Sequence, residues 1–389
     1  FETNTFWRCF PSGMRRRWWL FRPFDLLARF WPLFKRRNGL VVVRMDGIGD
    51  MVLFRNSLDH YSSAFNVKKK DITIIGCKSW GGLLSGLFIG YKTISIDEHS
   101  YGKNFFYRTY VNFKVTREAP EIVVSDSYFR RALLADSLVW VLGAPNTIVS
   151  YPYINEQTRA EFTYYLSVAS RVIDTGPYPT HELLRHANFL SKVSSKTFSA
   201  REPTLLPTAV PLQKTSENNS YVLLNIGSNE PGRRWPIDHY FSIATHIVNH
   251  GFHVFFIGTD GNNIIQDKIN SHNMGDKISS LIGKTNLDTL LRVMKRAKLV
   301  VSNDSGPAHL SIGLGVSTIV IVGGGHYGCF FPYPAELTPK NVKFISKSLD
   351  CYHCFWRCDK RTLPSDAFPC VGEVSIVQVR KVCDELLLN

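Results

Sequence analysis

The chain has 389 residues, 44% apolar and 20% charged, too long for one ordinary core and suited to two domains of roughly 150 to 200 residues. That balance excludes a disordered or collagen-like chain, and the lack of any uncharged apolar run of about 18 residues excludes a helical membrane span. The formal net charge is +14, and half of the excess falls within residues 1–38.

That first stretch carries nine Arg or Lys against Glu2 and Asp25, interleaved with Trp7, Trp18, Trp19, Trp31 and several Phe. A basic, aromatic arm of this kind suits an anionic membrane surface. It equally suits packing of its aromatic face on the protein itself or across an oligomer interface. Pro23, Arg22, Arg29 and Pro32 break its apolar runs, which argues against a signal peptide.

Leu40 to Arg44 is a β-branched apolar run, expected as a buried parallel strand, and it opens onto Gly47-Ile48-Gly49-Asp50. Strands are expected at Asp71 to Ile75, Thr93 to Ile96 and Glu121 to Ser125. A helix is expected from Tyr128 to Leu142, closed by Gly143. Tyr101 to Arg117, aromatic and basic, reads as an acceptor or lipid-facing surface or equally as a helix packed on the core. Residues 191–220, rich in Ser, Thr, Pro and Lys, read as a linker. Alternation then resumes, with strands at Tyr221 to Ile226, Phe252 to Ile257, Leu299 to Ser302 and Ser317 to Val322. Helices are expected at Asp238 to His250, Leu287 to Ala297 and Ala308 to Leu314. Strand–helix alternation on both sides of the linker implies an α/β chain of two Rossmann-like, doubly wound halves.

Three glycine loops follow strands, where helix N-termini turn backbone N–H groups toward anions. In Asn303-Asp304-Ser305-Gly306-Pro307-Ala308-His309, Gly306 permits close approach, Pro307 suits the first turn and Ser305 adds a hydroxyl. The competing reading is an ordinary helix capped by Asp or Ser. In the second loop, Gly227 to Pro236, Arg233 and Arg234 offer planar donor forks for a diphosphate, or form a solvated pair. The Gly47–Asp50 loop makes a poor nicotinamide fingerprint because Val52 stands where its third glycine belongs. Asp50 is instead a candidate general base, or else a helix cap.

In this order the motifs VVVRMDGIGDMVL (41–53), GSNEPGRRWP (227–236), SSLIGKTNLDTLLRVMKRAKLVVSNDSGPAHLSIGLGV (279–316) and CVGEVSIVQV (370–379) resemble glycosyltransferase family 9, the ADP-heptose-dependent heptosyltransferases of bacterial lipopolysaccharide. The resemblance covers Leu40 to Val379. It implies a GT-B fold of two Rossmann-like domains facing across a cleft, preceded by the arm, with acceptor on the first domain and nucleotide sugar on the second. It also implies inversion without a catalytic metal or other cofactor. Asp50 falls on the family's catalytic base. Arg233 falls where the family has a phosphate-contacting Lys, a change that keeps charge and alters geometry. Ser228, Asn229, Asp304, Ser305 and Gly306 fall on donor-binding positions, with Asp260 near the ribose contact; His309 reads as structural.

The expected organisation is thus arm 1–38, acceptor domain 39–192, linker 193–219, donor domain 220–350 and a Cys-rich tail with a terminal helix, 351–389. Expected partners are ADP-heptose, a glycan or glycolipid acceptor and an anionic membrane surface. The expected location is the cytoplasm, peripheral on the inner membrane face, and an oligomer is compatible with it. Alternatives are a transferase using another nucleotide sugar or glycosylating a protein. A nucleic-acid-binding protein is a further alternative, disfavoured because no binding module is present. Cys351, Cys354, Cys358 and Cys370 have the softness and spacing for one structural Zn or Fe, or are free thiols or disulfides.

Overall fold

A computed structural model of the chain describes residues 17–32, 35–205, 220–259, 267–269, 271 and 275–388. The expected arm before Arg17 and the expected linker after Leu205 lie outside these residues. The described chain packs as two compact units. One takes in residues up to Gly47, then His60–Thr175 and Asn188–Phe198; the other takes in Ile48–Asp59, Gly176–Ala187 and the chain from Ser199 onward.

The first unit holds a six-stranded parallel sheet of β1 (Leu40–Arg44), β2 (Ile72–Cys77), β3 (Lys92–Ile96), β4 (Ile122–Ser125), β5 (Asn146–Ser150) and β6 (Arg171–Ile173), ordered β3-β2-β1-β4-β5-β6. Every residue of β1 and β2 is buried, as a strand covered by helices on both faces must be. The second unit repeats the plan with β7 (Tyr221–Asn225), β8 (His253–Ile257), β9 (Ile278–Ser280), β10 (Leu299–Asn303), β11 (Ser317–Val322) and β12 (Val342–Ser346), ordered β12-β11-β10-β7-β8-β9. Counted within each unit, both sheets have the order 3-2-1-4-5-6. The strand direction of progression reverses between β1 and β4 and between β7 and β10, the points where such sheets bind ligands. This is the paired, doubly wound α/β plan of the GT-B class.

The helices used below are α1 (Arg17–Phe30), α2 (Ile48–Leu58), α3 (Phe105–Thr116), α4 (Ala135–Leu142), α5 (Ile237–Asn249), α6 (Leu287–Arg296), α7 (Gly306–Gly313) and α8 (Ile376–Leu387). No helix among the described residues is long and apolar enough to cross a membrane. The expected helix over Tyr128–Leu142 shrinks to α4. The carbonyl of Ser127 is taken by Arg130 Nη1 at 2.7 Å and Ser150 Oγ at 2.9 Å, and that of Tyr128 by the Tyr153 amide, so neither is free to start a helical ladder. Gly143 does close the helix, at φ 58°. Asn104 splits the expected 101–117 helix, because its side chain caps α3 by accepting from the Tyr107 amide at 3.0 Å.

The described end of the arm is α1, and it packs on the first unit. Asp25 is buried and accepts from Arg108 Nε and Nη2 at 3.0 and 2.6 Å and from Asn112 Nδ2 at 2.6 Å. Arg22 lies over the Trp140 ring at 3.4 Å. Leu27 and Phe30, three residues apart on the helix, are left more than half exposed.

Candidate active site

In the first unit the reversal point between β1 and β4 is closed by charge. Arg44, 1% exposed, pairs with Asp46 at 2.8 Å and Asp126 at 2.7 Å, and Ser127 Oγ donates to Asp46 at 2.5 Å. Asp46 is therefore held in a buried network that neutralises it.

In the second unit the reversal point is built from the loops after β7 and β10. The register sets Ser302 opposite Asn225, and Asn225 Nδ2 donates to Ser302 Oγ at 2.8 Å and to Ser305 Oγ at 3.0 Å. Asn303 Oδ1 accepts from the Trp235 amide at 2.9 Å and Tyr240 OH at 3.0 Å. These bonds tie the two loops into one wall. Ser305 occupies the N-cap position of α7 in extended backbone, yet no side chain caps the helix; its hydroxyl donates to the Asn303 carbonyl at 3.2 Å. The ordinary capped helix is thus not what forms, and the positive end of α7 is left to another anion.

Arg233 ends a short turn, Pro231–Arg233, and its Nη2 contacts both the Asp304 carbonyl and, at 2.8 Å, Asp304 Oδ1. Its guanidinium stacks 4.5 Å from the Trp356 ring centre. Burial pushes the Asp304 carboxyl above its usual range against the opposing pull of Arg233. Among the described residues, Arg233 Nε and Ser228 Oγ are buried without a hydrogen-bond partner. Two unsatisfied polar groups in one loop mark a place for an acceptor-rich ligand. Arg234 instead bonds the Ser228 carbonyl at 3.0 and 2.8 Å, and Asn229 is exposed. Asp260 lies outside the described residues.

Asp50 stands in the first turn of α2, half-buried. The start of α2 presses on the start of α7: a Cβ on Gly306 would come within 2.0 Å of Ile48 Cγ2, and one on Gly49 within 2.7 Å of His309 Cδ2. Glycine is required at both positions for this approach. The second unit therefore brings the Asp50 turn and the Ser305–Gly306 turn together. His309 is a rigid backing, bonded through Nδ1 to Tyr333 OH at 2.7 Å and stacked on Phe331 at 4.0 Å. Burial holds its pKa well below the usual value, and His181 and Arg233 add to this.

Trp356 and the run Gly323-Gly324-Gly325 carry part of the site that sequence reasoning missed. A Cβ on Gly325 would meet the Trp356 ring at 2.2 Å and one on Gly324 the Tyr352 ring at 2.3 Å. The tail backbone pairs with this run, His353 N to Gly324 O at 2.8 Å and Phe355 N to Gly325 O at 3.0 Å. Three consecutive glycines straight after a strand were the available signal. In the same tail Cys351, Cys354 and Cys358 are half-buried and Cys370 is buried. Burial pushes the Cys354 and Cys370 thiols up, and their Cys neighbours add to it. No three of these thiols lie within 4.8 Å of one another as a ready ligand set; among the described residues only His246, His250 and Asp384 do.

Residues 178–362 match the model of glycosyltransferase family 9 (heptosyltransferase). The chain is 26% identical over 161 residues to lipooligosaccharide heptosyltransferase 2 of Campylobacter jejuni, a match covering 40% of this chain and 47% of that protein. It spans about half the length of that relative, and 28% of the Salmonella typhimurium lipopolysaccharide heptosyltransferase 2, to which it is 29% identical over 24% of its own length. In fold it is similar to E. coli ADP-heptose LPS heptosyltransferase II, with TM-score 0.66, 15% identity and coverage of 90% of this chain and 98% of that one. A family 9 glycosyl transferase from Veillonella parvula gives TM-score 0.70, 18% identity and coverage of 91% and 99%. The iron-containing dodecameric glycosyltransferase TibC of enterotoxigenic E. coli gives TM-score 0.55, 13% identity and coverage of 90% and 76%.

Proposed function

We propose, for a chain that carries a glycosyltransferase family 9 domain over residues 178–362, that it transfers heptose from ADP-heptose to a hydroxyl of a bacterial cell-surface glycan of the lipopolysaccharide type, with inversion and without a catalytic metal. The observation that carries this reading is the close packing of Gly49 and Gly306, which joins the turn bearing Asp50 to the uncapped N-terminus of α7. The two sequence relatives named above are heptosyltransferases, and the similar E. coli structure is named as an ADP-heptose heptosyltransferase.

The diphosphate is received by the amides at the start of α7, by Arg233 through the two nitrogens that Asp304 does not use, and by the Ser228 hydroxyl. Asn229, Asp304 and Asp260 serve the donor beyond the diphosphate. Asp50 accepts the proton of the acceptor hydroxyl as its oxygen attacks the anomeric carbon. The C–O bond to the diphosphate breaks as the new one forms on the opposite face, and the leaving charge spreads onto Arg233 and the α7 dipole. Asp304 holds Arg233 in position, and stacking on Trp356 fixes the plane of the fork.

The first unit takes the acceptor. The exposed aromatic side of α1 gives it a means of lying on the inner face of the cytoplasmic membrane. Cys351, Cys354, Cys358 and Cys370 hold a structural Zn or Fe, drawing closer around it than they stand here, a reading supported by the electrostatic influence of the other three on Cys370 and by the iron named for TibC.

The test is Asp50→Asn. Transfer should fall by more than about a thousandfold, while ADP-heptose binding, read by calorimetry, stays within a few fold. Near-normal turnover in this variant removes Asp50 as the base.

A further inference from the structure

α5, which starts straight after the Gly227–Pro236 loop, packs against α8 on the second unit. His246 and His250 are four residues apart near the end of α5, hence on one helical face. His246 Nε2 lies 2.7 Å and His250 Nε2 3.8 Å from Asp384 Oδ1 of α8, and the two imidazole centres are 4.6 Å apart. The three ligand atoms all fall within 4.8 Å of one another.

A second contact prepares this group for a cation. His250 Nδ1 lies 2.8 Å from the His246 carbonyl. A carbonyl only accepts, so Nδ1 carries the proton, and in the neutral ring the Nε2 lone pair turns toward the carboxylate. The site also sits at the C-terminal end of α5, where the helix dipole favours positive charge.

We propose that His246, His250 and Asp384 bind one divalent transition cation of the zinc class. Two imidazoles and one carboxylate suit Zn²⁺, Ni²⁺ or Cu²⁺ and suit Mg²⁺ or Ca²⁺ poorly. For the metal to bind, the proton that His246 Nε2 presents to Asp384 must leave that nitrogen, for Nδ1 or for solvent; water completes the coordination on the exposed His250 side. The cation would staple the last helix to α5. That helix is otherwise held by Arg380 Nη2 donating to Ser242 Oγ at 2.5 Å and by burial of Val379 and Cys383. Trp235 Nε1, from the donor loop itself, bonds the Val374 carbonyl just before α8 at 3.1 Å, so the helix is tied to the donor loop at its start and would be stapled near its end.

The experiment uses the full chain, stripped with chelator under reducing conditions, as wild type, His250→Gln and Asp384→Asn. Each is titrated with Zn²⁺ by calorimetry and thermal melting, and with Co²⁺ by absorption. Wild type should bind one more equivalent of Zn²⁺ than either variant and gain melting temperature from it. The affinity of that equivalent should fall at least roughly tenfold in both variants. The Co²⁺ bound there should show ligand-field bands without thiolate-to-metal charge transfer, which separates it from metal on the cysteines. Equal stoichiometry and equal thermal gain in wild type and either variant would mean a His–Asp ion pair only, and would overturn the proposal.

Discussion

His181 has both ring nitrogens committed: Nε2 lies 2.9 Å from the Phe330 carbonyl, and Nδ1 accepts from the Leu183 amide at 3.2 Å. That arrangement needs a neutral ring, and burial accordingly lowers its pKa to about 4. His326 is lowered to about 4 as well, by burial first and then by Arg233 and His353. In the unfolded chain both titrate near the ordinary histidine value of roughly 6.5. Between these limits the unfolded state binds more protons than the native one, so stability is intact above pH ~6.5 and falls as pH drops toward ~4. The expected slope is up to about 1.4 kcal/mol per pH unit for each histidine, read from urea denaturation at pH 7, 6 and 5. The slope should shrink in His181→Gln. A flat profile across that range would contradict neutral burial of these rings.

At the scale of elements, α1 shows how one residue docks a helix. Its tie to the first unit is Asp25, whose side chain and that of Arg108 are each 3% exposed. Replacing Asp25 by Ala leaves a buried guanidinium and the Asn112 amide without their acceptor, a loss of about 3 to 5 kcal/mol. Chemical denaturation should report it, and limited proteolysis should cut within α1 in the variant before it cuts wild type. Unchanged stability would mean that α1 is held by its aromatic contacts alone. Strands of β-branched residues such as β1, β10 and β11 were legible because their composition matches burial on both faces. β5 and β6 were not, being short edge-side strands with exposed residues that carry no apolar run. The Tyr128–Leu134 segment read as helix because its apolar spacing is helical; the carbonyls of Ser127 and Tyr128 at its start are captured by Arg130, Ser150 and the Tyr153 amide, and no helical pattern encodes that.

At the scale of the whole molecule the donor should act as a mass-action stabiliser. Under the proposed function, ADP-heptose at a hundred times its dissociation constant should add about 2.7 kcal/mol to folding, and thermal shift against ADP-, UDP-, GDP- and CDP-sugars should rank ADP-heptose first. A larger shift with another nucleotide sugar would keep the transferase and replace the donor. The residues alone determined the two-fold α/β repeat, the glycine loops after β1, β7 and β10, and the candidates Asp50, Arg233 and Ser305, because periodicity and turn chemistry are local properties of a chain. Only the tertiary structure decided the rest. The pairing of Arg233 with Asp304, the Trp356 ring over its guanidinium, the missing side-chain cap on α7 and the Gly49–His309 approach depend on residues tens to hundreds of positions apart. Their distances follow from sheet register and helix packing, which no single segment specifies.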